Sequence, residues 1–102
     1  MSIPQSGGGP IEHRDQLAGY LEQGCKPKEA WRIGTEHEKF GYTLKDHRPI
    51  PYHGDASVKA MLEGLRDGFG WSPVAEAGNI IGLEKDGANI SLEPGGQLEL
   101  SG

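Results

Sequence analysis

The chain has 102 residues and a formal net charge of −5, which argues against nucleic acid as a partner because nucleic acid selects for a basic surface. It has no apolar run near the roughly 18 residues needed to cross a bilayer, and its N-terminus lacks the apolar segment of a signal peptide. Cys25 is the single cysteine, so no disulfide forms within the chain and we expect a reducing, cytoplasmic location.

The first predicted elements are a disordered lead and a helix. Residues 1–10 are rich in Ser, Gly and Pro, which is typical of a disordered segment. Residues 11–23 follow as a predicted helix, because Pro10 suits a first helical turn and Gly24 suits a helix end. The apolar side chains of this helix recur at spacings of three and four residues and comprise Leu17, Tyr20 and Leu21.

An alternating pattern over residues 31–44 predicts a β-strand. Successive side chains of a strand point to opposite faces, so Glu36 and Glu38 share one face and His37 lies on the other. We therefore expect His37 to be packed or hydrogen-bonded rather than to bind a metal beside the two glutamates. A loop rich in Pro, His and Gly is predicted for residues 46–55.

The clearest helix signal is an apolar stripe in the middle of the chain. The stripe comprises Val58, Met61, Leu62 and Leu65, spaced as on one face of an α-helix. Asp55 or Ser57 is placed to cap the first turn of this helix. Gly68 or Gly70 is placed to end it.

The last quarter of the chain predicts a three-stranded antiparallel meander. Strands are expected over residues 80–84, 89–93 and 97–101. An Asp-Gly pair at 86–87 indicates a hairpin turn between the first two, and a three-residue turn at 94–96 joins the last two. Helix, strand, helix and meander together indicate an α+β fold with an antiparallel sheet.

Glutamates are predicted to gather on one face of this sheet. The second turn of the meander would set Glu93 opposite Gln97. Ser91 would then lie opposite Glu99, which makes Glu93 and Glu99 diagonal neighbours with Cα atoms about 7 to 8 Å apart. If the strand within 31–44 joins the same sheet, the set on this face is Glu36, Glu38, Glu93 and Glu99.

Such a set of carboxylates indicates cation binding, because a cation relieves the repulsion between them. Oxygen ligands without His or Cys suit Mg²⁺ or Mn²⁺ better than Zn²⁺. Each Mg²⁺ commonly takes only one or two protein carboxylates, so four glutamates indicate more than one ion and a phosphorylated ligand such as ATP. By spacing alone, a solvated sheet face or a strand edge protected by charge is the commoner explanation of such residues.

Two long motifs closely resemble glutamate–cysteine ligase of the plant and proteobacterial type. The first motif is residues 31–42 and the second is residues 90–102. Shorter stretches at 14–17 and 24–27 also resemble the start of that family, so the resemblance covers about residues 11–102.

The resemblance implies a glutamine-synthetase-like half-barrel, in which a curved antiparallel sheet holds the active site between flanking helices. It implies ligation of the glutamate γ-carboxylate to the cysteine amine through γ-glutamyl phosphate, with ATP as co-substrate and Mg²⁺ bridging its phosphates. This reaction is the first step of glutathione biosynthesis. The metal ligands that the resemblance implies are Glu36, Glu38, Glu93 and Glu99. Gly95, Gly96 and Gln97 lie in the second motif without an assigned role.

Members of that family are several times longer than this chain. We therefore expect residues 11–102 to be the N-terminal part of a catalytic domain whose remainder follows Gly102, with little or no activity by itself. Two alternatives stay open. One is a related carboxylate–amine ligase with another amine substrate, and the other is a truncated, non-catalytic product that binds a metal or a partner through its sheet.

Overall fold

The computed structural model describes residues 8–102 and divides them into two units, residues 8–33 and residues 34–102. Most of the predicted disordered lead, residues 1–7, lies outside the described part of the chain. Neither α-helix within residues 8–102 has both the length and the apolar character required to cross a membrane.

Residues 8–33 contain one α-helix, α1 (Arg14–Gln23), followed by a 3₁₀ turn (Lys28–Ala30). The predicted helix start at residue 11 is wrong, because Oε1 of Gln16 accepts hydrogen bonds from the backbone N–H groups of Glu12 (2.7 Å) and His13 (2.9 Å). These bonds fix His13 as the residue before the first turn. Gly24 follows the last helical residue, as predicted.

Residues 34–102 form a five-stranded antiparallel sheet in the order β1-β5-β4-β3-β2. The strands are β1 (Glu36–Phe40), β2 (Ser72–Glu76), β3 (Asn79–Lys85), β4 (Ala88–Glu93) and β5 (Gln97–Ser101). The sheet is open, with β1 and β2 at its edges. Two α-helices and an antiparallel sheet confirm the predicted α+β class, and the open sheet is consistent with a curved sheet.

The meander has four strands rather than the three predicted, because β2 was missed. Ala77 and Gly78, both at positive φ, join β2 to β3. Asp86 and Gly87, also at positive φ, join β3 to β4. Positive φ at both central residues is the geometry of a two-residue hairpin turn. Asp-Gly is a strong signal for this turn, whereas alanine rarely adopts it. Pro73 also weakened the sequence signal for β2, because proline is uncommon within strands. β2 accommodates this proline because it is an edge strand.

β1 is shorter than the strand predicted over residues 31–44. Its pairing with β5 ends where Phe40 meets Gln97, the first residue of β5, and Tyr42 then pairs with Pro49 of a returning loop. The backbone N–H of Ile50 donates to the carbonyl of Gly41 at 3.2 Å. A Cβ on Gly41 would lie 2.5 Å from Cδ1 of Ile50, so a side chain at this position would obstruct the close approach of the loop.

The second helix is α2 (Val58–Phe69), and of the two positions predicted for each end the structure selects Ser57 and Gly70. Oγ of Ser57 accepts the backbone N–H of Ala60 at 3.1 Å and donates to the carbonyl of Gly54 at 2.7 Å. Gly70 ends the helix in the left-handed conformation that glycine favours. α2 packs against β3, and the buried core comprises Val58, Leu62, Ile80, Leu83 and Ile90.

Tyr52 ties the loop before α2 to the sheet. Its hydroxyl donates a hydrogen bond of 2.7 Å to the carbonyl of Ile80. Burial raises the pKa of Tyr52, and the nearby negative charge of Glu63 raises it further.

The pairing of β2 with β3 is irregular at the Ile80 end of the sheet. The strict alternation of faces is interrupted there, so Ile80 and Leu83 both lie in the core although three positions separate them on β3.

Candidate functional site

Three neighbouring strands carry the four predicted glutamates, and they place them on one face of the sheet. Glu38 of β1 lies directly opposite Glu99 of β5. Glu93 of β4 lies opposite Gln97 of β5, as predicted. Directly paired residues point to the same face, and so do residues two apart on one strand. Glu36 therefore joins the other three on this face.

The residues of this face form rows that cross the strands. One row consists of Glu38, Glu99 and Ser91, on β1, β5 and β4 respectively. The predicted pairing of Ser91 with Glu99 is confirmed, whereas the sequence did not indicate which residue of β1 would face Glu99. Like charges placed directly opposite each other destabilise a strand pair unless donors or a cation compensate for them.

Glu99 is buried although its side chain carries a carboxyl group, with only 6% of its surface exposed. The hydroxyl of Ser101 donates a hydrogen bond of 2.6 Å to its Oε1. A buried carboxylate is costly unless donors satisfy its oxygens, so this hydroxyl helps to make the burial of Glu99 tolerable. Ser101 is itself buried.

Glu93 has a similar serine neighbour on β4. The hydroxyl of Ser91 donates a hydrogen bond of 2.8 Å to Oε1 of Glu93. Sequence reasoning gave Ser91 and Ser101 no role. The available signal was their spacing, because each serine lies two positions from a glutamate and therefore shares its face.

The glutamates share a face without forming a ready-made metal cage. Within residues 8–102, no three His, Cys, Asp or Glu side chains lie close enough together to hold one ion. Glu36 and Glu38 are exposed, whereas Glu93 is half-buried and Glu99 buried. Assignment of these four residues as metal ligands stays a prediction. The donor set nevertheless fits Mg²⁺, which commonly takes only one or two protein carboxylates.

A cavity of about 420 Å³ adjoins the glutamate face at the turn between β4 and β5. Gly95 and Gly96 of that turn border it, as do the rings of Phe40, Tyr42 and His47. Its volume lies in the range of small-molecule pockets. Phe40 pairs with Gln97, which in turn pairs with Glu93, so the cavity lies beside one end of the glutamate face.

His37 lies on the opposite face of β1, as alternation predicted. It pairs with Leu100 and lines an apolar groove with residues of β5 and α2. The structure thus separates His37 from the neighbouring Glu36 and Glu38.

Residues 32–102 match the model of the family described as glutamate-cysteine ligase family 2 (GCS2). Among curated relatives, glutamate–cysteine ligase A, chloroplastic, of Oryza sativa subsp. japonica is 52% identical over 89 residues, which are 87% of this chain and 18% of the relative. Glutamate–cysteine ligase, chloroplastic, of Medicago truncatula is 50% identical over 93 residues, which are 91% of this chain and 18% of the relative. The Nicotiana tabacum protein of the same name is 51% identical over 89 residues, with 87% and 16% covered.

The names of these relatives overturn the expected cytoplasmic location. All three are named chloroplastic proteins, so the cytoplasmic prediction is wrong. The cytoplasmic prediction rested on the single cysteine and on the lack of an apolar segment at the N-terminus. The lack of that segment argues only against a secretory signal. The chain spans less than a fifth of the length of the relatives it matches.

Proposed function

The chain belongs to glutamate-cysteine ligase family 2, and from this membership we propose that it supplies part of an active site that joins the glutamate γ-carboxylate to the amino group of cysteine. The observation that carries the proposal is the shared face of Glu36, Glu38, Glu93 and Glu99, because the matched region contains all four. ATP is the co-substrate, and the product, γ-glutamylcysteine, enters glutathione biosynthesis.

The proposed reaction has two steps. An oxygen of the glutamate γ-carboxylate attacks the terminal phosphorus of ATP, which forms γ-glutamyl phosphate and releases ADP. The amine of cysteine then attacks the acyl carbon, phosphate leaves, and the nitrogen loses a proton as the amide forms. The first step brings a carboxylate to the negatively charged phosphates, and the second releases phosphate, so positive charge near the phosphates favours both steps.

We place Mg²⁺ at the glutamate face, where it would supply this positive charge. The oxygen donors of Glu36, Glu38, Glu93 and Glu99 suit this ion, and the direct opposition of Glu38 and Glu99 offers two carboxylates from adjacent strands. The hydroxyls of Ser91 and Ser101 would hold the carboxylates of Glu93 and Glu99 in fixed orientations.

A chimera tests the proposal. Residues 32–102 of this chain would replace the aligned segment of the Oryza sativa ligase A, and the purified chimera would receive glutamate, cysteine, ATP and Mg²⁺. We expect γ-glutamylcysteine and phosphate to form in equal amounts. A folded chimera that makes no product would contradict the proposal. A preference for another amine over cysteine would show that the substrate is that amine and not cysteine.

The glutamate assignment has its own arm in the same assay. Glu99→Gln keeps the shape of the side chain and removes its charge, so we expect the activity of the chimera to fall at least a hundredfold. Glu76→Gln is the matched control, because Glu76 is an exposed carboxylate at the end of β2, an edge strand that β3 separates from β4. Equal activity of the two variants would contradict the assignment.

A further inference from the structure

Two Asp-Gly pairs occur in the chain, Asp67-Gly68 and Asp86-Gly87. All four residues are exposed. The glycine of such a pair has no Cβ to shield its backbone nitrogen, so this nitrogen can approach the carboxyl carbon of the preceding aspartate. The two pairs share sequence and exposure, and they differ in secondary structure and in what the carboxylate contacts.

The first pair lies within α2, where both of its reactive groups are engaged. Backbone N–H groups of an α-helix donate to the carbonyl four residues earlier, so the N–H of Gly68 belongs to the helical ladder. The guanidinium of Arg66 donates hydrogen bonds of 2.7 and 3.1 Å to the carboxylate of Asp67. These hydrogen bonds hold the pKa of Asp67 below its usual range, so its carboxyl group stays ionised to a lower pH.

The second pair is the two-residue turn between β3 and β4, with φ of 51° at Asp86 and 86° at Gly87. Within residues 8–102, the N–H of Gly87 donates no hydrogen bond and the carboxylate of Asp86 accepts none. The ammonium group of the neighbouring Lys85 donates instead to the carbonyl of Phe69 at 2.6 Å. Both reactive groups of this pair are therefore available to each other.

We propose that Asp86 is a site of spontaneous isomerisation to isoaspartate and that α2 protects Asp67 from the same reaction. The nitrogen of Gly87 attacks Cγ of Asp86 and loses its proton, and the carboxyl hydroxyl leaves as water. This step forms a five-membered succinimide ring. Water then adds to the α-carbonyl carbon of Asp86 and breaks its bond to the nitrogen of Gly87, so the chain continues through Cγ. One water molecule leaves and one is added, and no other reactant is needed.

The modification changes the connection that leads into β4. Isomerisation inserts one methylene group into the backbone of the turn, whereas a two-residue hairpin turn depends on the dihedral angles of two ordinary α-linked residues. β4 carries Ser91 and Glu93 of the glutamate face. The reaction itself requires neither ATP nor a metal ion, so it stands or falls independently of the ligase function.

Peptide mapping of the folded chain after incubation at pH 7 and 37 °C tests the proposal. Cleavage after glutamate releases residues 64–76 and residues 85–93, each with one Asp-Gly pair. Isoaspartyl and aspartyl peptides have the same mass, and chromatography with electron-transfer fragmentation distinguishes them. We expect isoaspartate to accumulate at least ten times faster in residues 85–93, because in the other peptide Gly68 must first lose its helical hydrogen bond and Asp67 its bonds to Arg66.

The same incubation in guanidinium chloride is the control, since unfolding removes the helix and the turn alike. The two peptides are then expected to form isoaspartate at similar rates. Similar rates in the folded chain, or no isoaspartate in residues 85–93, would overturn the proposal.

Two matched variants check the role of the glycine nitrogen. Asp86→Asn keeps the turn, because Asn-Gly favours the same hairpin geometry as Asp-Gly. The attack of Gly87 then releases ammonia instead of water, so mass spectrometry detects the loss of the amide. In the folded protein, we expect Asp86→Asn to lose its amide at least ten times faster than Asp67→Asn. Equal rates in the two variants would contradict the proposal.

Discussion

The hydroxyl of Ser101 donates a hydrogen bond of 2.6 Å to the buried carboxyl group of Glu99, two positions earlier on the same strand. Both side chains are buried on the face that also carries Glu36, Glu38 and Glu93. A charged side chain is rarely buried without donors around it. Ser101 is therefore part of the arrangement that keeps Glu99 in the sheet.

Ser101→Ala is expected to destabilise the chain by about 2 kcal/mol, because it removes a hydrogen bond to a buried acidic group. The free energy of unfolding in urea measures the loss. Ser72→Ala removes an exposed hydroxyl at the far edge of the sheet and is expected to cost less than about 0.5 kcal/mol. A loss in Ser101→Ala no larger than in this control would show that the hydrogen bond contributes nothing.

Glu36→Gln and Glu93→Gln test the predicted metal ligands from two different strands. In the chimera with the Oryza sativa ligase, we expect each variant to weaken Mn²⁺ binding in the presence of ATP at least tenfold and to lower activity, because each removes one anionic oxygen ligand. Isothermal titration and product formation measure the two effects. The exposed Glu76→Gln again serves as control. Unchanged metal affinity and activity in both variants would contradict the prediction that Glu36 and Glu93 are metal ligands.

Tyr52→Phe is expected to destabilise the chain at pH 7 by about 1 kcal/mol, because the hydrogen bond to the carbonyl of Ile80 is lost. Burial raises the pKa of Tyr52 above its ordinary value near 10, so the folded state holds the phenol proton more tightly than the unfolded state. The advantage of tyrosine is complete below pH 10 and is lost as the pH rises through the higher pKa of the folded state.

Urea unfolding at pH 7 and above pH 10 checks this pH dependence. The difference between the unchanged chain and Tyr52→Phe should shrink at the higher pH. Tyr20→Phe is the control, since this ring is exposed on α1 and its hydroxyl is expected to contribute little to stability at pH 7. A difference for Tyr52→Phe that is constant or grows with pH would contradict the prediction.

Residues 1–102 alone are expected to form little or no γ-glutamylcysteine, because they span less than a fifth of the length of the ligases they match. The same assay as for the chimera, run at equal protein concentration, measures this. Turnover comparable with that of the chimera would show that these residues contain a complete active site.

Much of the C-terminal part of the fold was predictable because its signals are local. The stripe from Val58 to Leu65 and the cap at Ser57 lie within one helix, and both were confirmed. The turn at 94–96 fixed the pairing of Glu93 with Gln97, since Gly95 and Gly96 supply the positive φ that closes it. Strand alternation then assigned Glu99 to the face of Glu93 and kept His37 off the face of Glu36 and Glu38.

The misses arose where distant or atypical contacts decided the structure. β2 carries Pro73 and turns at an alanine, so its local signal was weak. β1 ends at Phe40 because its partner β5 begins at Gln97, and nothing within the strand itself reveals where that distant partner begins. The early start predicted for α1 failed because one side chain, Gln16, caps the helix later.

The sequence by itself determined which face of the sheet each glutamate occupies, since period-2 alternation and turn type fix it. Only the tertiary structure decided that Glu38 faces Glu99, because β1 and β5 are distant in sequence and their register depends on packing across the whole sheet. It also decided that Oδ1 of Asn89 is buried without a hydrogen-bond partner among residues 8–102. Burial and hydrogen-bond satisfaction are properties of surrounding atoms, and a linear pattern does not contain them.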